Sequence, residues 1–118
     1  MAIQKKAARP QKTKAKARTT RKTYLLQEAE IDVEIKGMGL PLLLLHSEDR
    51  YERGSGFVEE LAKKHRLIMP WMPGFGNSTL PESVTSIEDI SYLYLDLLDQ
   101  MKLTGVSVLG FSVGGWIA

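Results

Sequence analysis

The chain has 118 residues, enough for one small domain, and no cysteine, which excludes disulfides, thiol nucleophiles and thiolate-bound metal. Its formal net charge of +2 conceals two unlike parts: residues 1–23 hold nine Lys and Arg and no acid, while the remainder sets seven basic against fourteen acidic residues, a net of −7. No apolar run approaches the roughly 18 residues of a membrane span, and no apolar stretch follows the basic start as a secretory signal requires. A cytoplasmic protein is therefore expected.

Residues 1–22 are Lys, Arg, Ala, Thr and Gln with almost no large apolar side chain. Such a stretch cannot bury enough surface to offset its ordering entropy, and is expected to be a disordered basic tail ahead of a domain at 23–118. The tail fits a solvated extension, a start codon read too far upstream, a targeting arm, or an arm that holds nucleic acid or another polyanion. It lacks the interleaved aromatics that stack on bases, which counts against nucleic acid.

Tyr24-Leu25-Leu26 and then Glu30–Lys36 read as strands. The second alternates apolar with charged residues, which predicts one wet face in an antiparallel edge pair, closed by Gly37-Met38-Gly39. Leu42–Leu45 is apolar without alternation, as a strand buried on both faces reads, and Leu67–Met69 and Val106–Leu109 look similar. Two helical patterns lie between these runs. In the first, Ser55 can cap a helix that puts Phe57, Val58, Leu61 and Ala62 on one face and Glu59, Glu60, Lys63 and Lys64 on the other. In the second, Thr85 with Glu88 three residues on reads as a capping box. Ile87, Ile90, Tyr94, Leu97, Leu98 and Met101 then follow at helical spacing, with Lys102 in the last turn and Gly105 as the stop. Alternating strands and helices with buried strands predict an α/β fold: antiparallel edge strands, then a parallel sheet with helices on both faces. In such sheets chemistry gathers beyond the carboxyl ends of the strands, here the loops after Leu45, Met69 and Leu109.

The loop after Leu109 is Gly110-Phe111-Ser112-Val113-Gly114, a G-x-S-x-G match. A strained strand-to-helix turn of this kind lifts the Ser hydroxyl above the sheet, and the helix start behind it favours developing negative charge. The bland alternative is a phosphate-binding or structural glycine turn. The loop after Met69, Pro70–Ser78, carries Pro-Gly and Gly-Asn and reads as a tight turn. The loop after Leu45 begins with His46, where a hydrogen-bonded loop histidine is expected over a base or metal ligand, since no partner His stands at ligand spacing. No metal site or cofactor is expected.

Together, "LLLLHSED", "PGFGNS" and "GFSVGG" resemble the N-terminal half of the α/β-hydrolase fold family, specifically its serine-nucleophile members, over about residues 24–118. Ser47 stands where that family usually has Gly, and Trp71 where many members have Asp. The resemblance implies a hydrolase acting on a small acyl substrate, an ester or related carbonyl, through an acyl-enzyme. Ser112 would be the nucleophile, and the backbone N–H groups of Val113 and Glu48 would form the oxyanion hole. The family order is Ser, acid, His, yet only six residues follow Ser112, none of them acid or His, while His46 and His65 precede it. The expectation is thus a truncated α/β-hydrolase domain ending just after the elbow, a fragment inactive by itself and poorly soluble. A Ser at the elbow argues against the carboxylate-using epoxide hydrolases and dehalogenases. The competing reading is a non-catalytic α/β scaffold whose basic tail binds a polyanion; such binding would weaken steeply with salt and be lost on deleting residues 1–22.

Overall fold

The computed structural model describes residues 19–47 and 56–118. Five strands form one mixed sheet: β1 (Thr19–Leu26), β2 (Ala29–Lys36), β3 (Leu40–Leu45), β4 (His65–Pro70) and β5 (Ser107–Gly110), in the order β1-β2-β4-β3-β5. The helices are α1 (Gly56–Ala62), α2 (Ile87–Gln100) and α3 (Val113–Ile117). β1 pairs antiparallel with β2, and β2 antiparallel with β4. β4, β3 and β5 then run parallel, as the alternation of strands and helices predicted.

Why β3 lies inside the sheet, between β4 and β5, follows from its sequence. Side chains alternate across a strand, so four consecutive leucines supply apolar surface to both faces. Leu42 and Leu44 pack with Val58 and Ala62 of α1 and with Leu67 and Met69. Leu43 and Leu45 pack on the opposite face with Leu93, Tyr94 and Leu97 of α2 and with Ile117 of α3. Each fully buried leucine contributes about 2 kcal/mol of transfer free energy. Helices therefore cover both faces.

Four expectations need correction or a choice between two readings. β1 begins at Thr19, so the last four residues of the stretch read as tail are strand; residues 1–18 lie outside the described residues. The polar face of β2 is not wet: Asp32, Glu34 and Lys36 are buried. β2 has β1 on one side and β4 on the other, and its charges meet counter-charges instead of water. Arg21 reaches Asp32 and lies 3.6 Å from Glu34, while Lys36 Nζ sits 2.9 Å from Glu59 Oε2 and 3.2 Å from Thr19 Oγ1. Pairing of this kind is what makes burial of charge tolerable.

The third concerns β5, whose run Val106–Leu109 reads as a buried central strand of a complete sheet but as an exposed apolar edge in a chain of this length; the edge reading holds. It lies at the edge of the described sheet, with Val108 43% exposed. The fourth is the cap of α2. The capping box is Ser86 with Asp89, one residue later than the Thr85–Glu88 pair. Ser86 Oγ accepts from the Asp89 N–H, while the Asp89 carboxylate accepts from the Ser86 and Thr85 N–H groups. A shorter acid at the third helical position closes the box as well as Glu does, and Thr85 adds its own hydroxyl to the same carboxylate. In α1, Val58 and Ala62 are buried as expected, but Phe57 is 42% exposed; the Ser55 cap falls outside the described residues.

Candidate active site

All three loops singled out by the sequence leave the carboxyl ends of the parallel strands β3, β4 and β5, and hydrogen bonds join them. β5 ends at Gly110, and the Phe111 N–H donates to Leu45 O at the end of β3 (3.1 Å). The chain then reverses into α3 through Ser112, whose backbone has φ 54° and ψ −118°. For a residue with a side chain this conformation is sparsely populated and costs of order 1–3 kcal/mol. The surrounding contacts impose it. A Cβ on Gly110 would run into the carbonyl oxygen of Gly114, and a Cβ on Gly114 into the carbonyl oxygens of Leu45 and His46. Both glycines of the motif are therefore required by close backbone approach, not by turn preference alone.

The outcome for Ser112 is an exposed side chain at the head of α3, which makes no capping hydrogen bond to the helix behind it. Val113 is the first residue of α3, so its N–H is one of those a helix cannot satisfy internally. Glu48, the other expected oxyanion donor, lies outside the described residues.

His46 is buried, and both of its ring nitrogens are engaged. The Met72 N–H donates to Nε2 at 3.0 Å, so that nitrogen carries no proton. The proton is on Nδ1, which lies 2.6 Å from Ser47 O and donates to it. His46 thus bridges the loop after β3 to the loop after β4, the hydrogen-bonded role expected of it. The rings of Trp71 and Phe75 lie against it, with centroids 5.6 and 5.2 Å away. His65, at the start of β4, places Nδ1 3.3 Å from Leu61 O.

Sequence reasoning marked Trp71 only as a departure from the family pattern and missed its anchoring role. Its N–H donates to Asp32 O (2.9 Å), its indole Nε1–H to Glu34 Oε2 (3.2 Å), and its carbonyl accepts from Ser78 Oγ (2.9 Å). Ser78 Oγ also accepts from the Asp32 N–H, and Thr79 exchanges hydrogen bonds with Glu30. Beyond the point where β4 stops pairing, the loop takes over the open groups of β2. The signal was present in Asp32 and Glu34, whose alternation was read as facing water.

No family model matches the chain. Among curated proteins, it is 27% identical over 95 residues to one named uncharacterized hydrolase YcgS of Bacillus subtilis (strain 168), covering 79% of this chain and 33% of that protein. It is 31% identical over 87 residues to the 2-hydroxymuconate semialdehyde hydrolase of Pseudomonas sp. (strain CF600), covering 70% of this chain and 31% of that enzyme. Among solved structures, an alpha/beta hydrolase fold protein from Burkholderia ambifaria superposes with a TM-score of 0.71 at 26% identity, over 81% of this chain and 36% of that one. The described residues carry the α/β-hydrolase fold. The epoxide hydrolase CorEH superposes with a TM-score of 0.76 at 23% identity, over 85% of this chain and 36% of its own, a likeness of fold. The chain spans about a third of the length of the curated relatives it matches.

Within the α/β-hydrolase fold, the two departures from the family pattern can be placed. Trp71 stands where many members have Asp, and the loop is anchored here through the indole and main chain of that tryptophan. Ser47 replaces the usual Gly, and its carbonyl is held by His46.

Proposed function

We propose that the protein of which this sequence is part or whole is a serine hydrolase of the α/β-hydrolase fold family, acting on an ester or related carbonyl through an acyl-enzyme. The observation that carries the reading is the backbone of Ser112: a non-glycine residue at φ 54°, exposed, between two glycines that have no room for a side chain. Strain of this kind is retained where surrounding structure enforces it, and it presents the hydroxyl above the sheet.

In the proposed reaction Ser112 Oγ attacks the acyl carbonyl. The Val113 N–H, with that of Glu48, holds the developing oxyanion, each donor being worth roughly 3–4 kcal/mol in the transition state. A histidine oriented by an acid would take the Ser112 proton and return it to the leaving group. His46 is not that base, because its Nε2 is occupied by the Met72 N–H and its Nδ1 by Ser47 O. The family order places acid and histidine after the nucleophile, so they would come from sequence following Ala118. One relative is named a 2-hydroxymuconate semialdehyde hydrolase, which fits a small carbonyl substrate. A serine at the elbow still argues against epoxide opening by a carboxylate.

The test is acyl-enzyme formation in a version extended to the length of the relatives. Incubation with a p-nitrophenyl ester should yield a mass adduct on Ser112, and Ser112→Ala should lower turnover by on the order of 10⁶-fold. Undiminished turnover by Ser112→Ala would end the proposal. The 118-residue chain itself should show no turnover above background.

A further inference from the structure

The Trp71–Met72 segment and the His46 ring form one hydrogen-bonded path from the buried charges of β2 to the candidate site. Arg21 pairs with Asp32 and lies 3.6 Å from Glu34, Glu34 holds the Trp71 indole, and Asp32 O holds the Trp71 N–H. The next residue, Met72, is buried and gives its N–H to His46 Nε2. A backbone N–H can only donate, so this bond dictates the tautomer of the ring, and the proton left on Nδ1 faces Ser47 O at 2.6 Å.

We propose that His46 is a positioning residue, locked as the Nδ1–H tautomer by the Glu34–Trp71–Met72 anchor, which fixes the Ser47 carbonyl. The peptide unit is planar and trans, so holding that carbonyl fixes the direction of the whole plane leading away from Ser47. The same histidine supports the elbow, because its own carbonyl oxygen lies against the space a Cβ on Gly114 would need. The relevance of this positioning to catalysis rests on the serine-hydrolase reading above; the locked tautomer does not.

The experiment is ¹⁵N NMR of the His46 ring in the 118-residue chain labelled at histidine, with His65 assigned by His65→Gln. Near neutral pH, His46 is expected to show one protonated and one unprotonated nitrogen, the protonated one being Nδ1. Trp71→Phe keeps a ring against His46 but removes the indole N–H; it should move both nitrogens toward the averaged values of exchanging tautomers. Glu34→Gln retains an oxygen for the indole and should keep the wild-type pattern. Folding of each variant is checked independently by the amide signals of α2. Should Trp71→Phe not fold, the wild-type ring alone decides. A proton on Nε2, or averaged nitrogens in the wild type, would overturn the proposal, as would a folded Trp71→Phe with unchanged nitrogens. If Ser112 proves not to be a nucleophile, these shifts are unaffected, so the two readings fail separately.

Discussion

Ser112 holds a φ of 54° at a position where any Cβ is unfavourable, and the fold tolerates it because Gly110 and Gly114 bring α3 hard against β3. Ser112→Gly should therefore raise stability by about 1 kcal/mol, read as a higher urea midpoint at unchanged slope. An unchanged or lower midpoint would show that the backbone is not strained. The elbow was legible because its constraint is written in residue type: two glycines that admit no side chain stand two positions either side of Ser112. The tautomer of His46 was not legible, since it depends on Met72, 26 residues away in sequence. Nothing in a sequence says which backbone N–H will face a ring.

At the scale of single elements, α2 starts on Ser86 and Asp89, and the Asp89 carboxyl lies below its ordinary value. The Thr85 N–H is the largest cause, opposed by partial desolvation and helped by the hydroxyls of Thr85 and Ser86 and the Ser86 N–H. A carboxylate whose folded pKa is depressed adds stability above its unfolded pKa. It loses that contribution as pH falls through the folded value. The urea midpoint should thus decline between roughly pH 5 and pH 2, and Asp89→Asn should flatten part of that decline. Equal slopes in the two proteins would remove Asp89 from the account. Ser86→Ala should cost about 1 kcal/mol at neutral pH, more than Thr85→Ala. The helix itself was plain in the sequence, because its apolar spacing repeats over four turns. Its first residue was not, because Thr85 and Ser86 are both good caps and only the geometry of the acid chooses between them. β2 shows the converse limit. Alternation fixes which side chains share a face, but charged residues on that face read the same whether they meet water or Arg21.

Over the whole molecule, the layered plan followed from the order of apolar runs, and the leucine run of β3 fixed that helices cover both of its faces. The composition of Val106–Leu109 looks as buried as that of Leu42–Leu45; its exposure followed only from its place as the outermost strand of these residues. Val108, Leu95 and Trp116 are exposed beside β5. A cavity of about 190 Å³ opens between the strand and its helices, lined by Leu43, Leu45, Tyr94, Leu98 and Ile117 among others. An apolar strand with one open row of backbone groups is a template for association. The 118-residue chain should therefore self-associate, and Val108→Lys should shift it toward smaller species in light scattering. A chain that is monodisperse before the substitution would dismiss that expectation.

The seating of Gly114 against β3 also sets an order of events in time. β1 and β2 meet through a two-residue turn between Leu26 and Ala29, a short-range step. Leu42 and Ser107, by contrast, must find each other across 65 residues before α3 has anything to rest on. Non-local parallel pairing is slow, so the serine turn should be among the last parts to close and the first to open. Relief of its strain in Ser112→Gly should then appear almost wholly as slower unfolding, with the refolding rate unchanged. Stopped-flow refolding that accelerates in step with the gain in stability would place the turn in the folding nucleus instead. In a growing chain the same logic makes the candidate site the final feature of these residues to appear, ready only after β5 has left the ribosome.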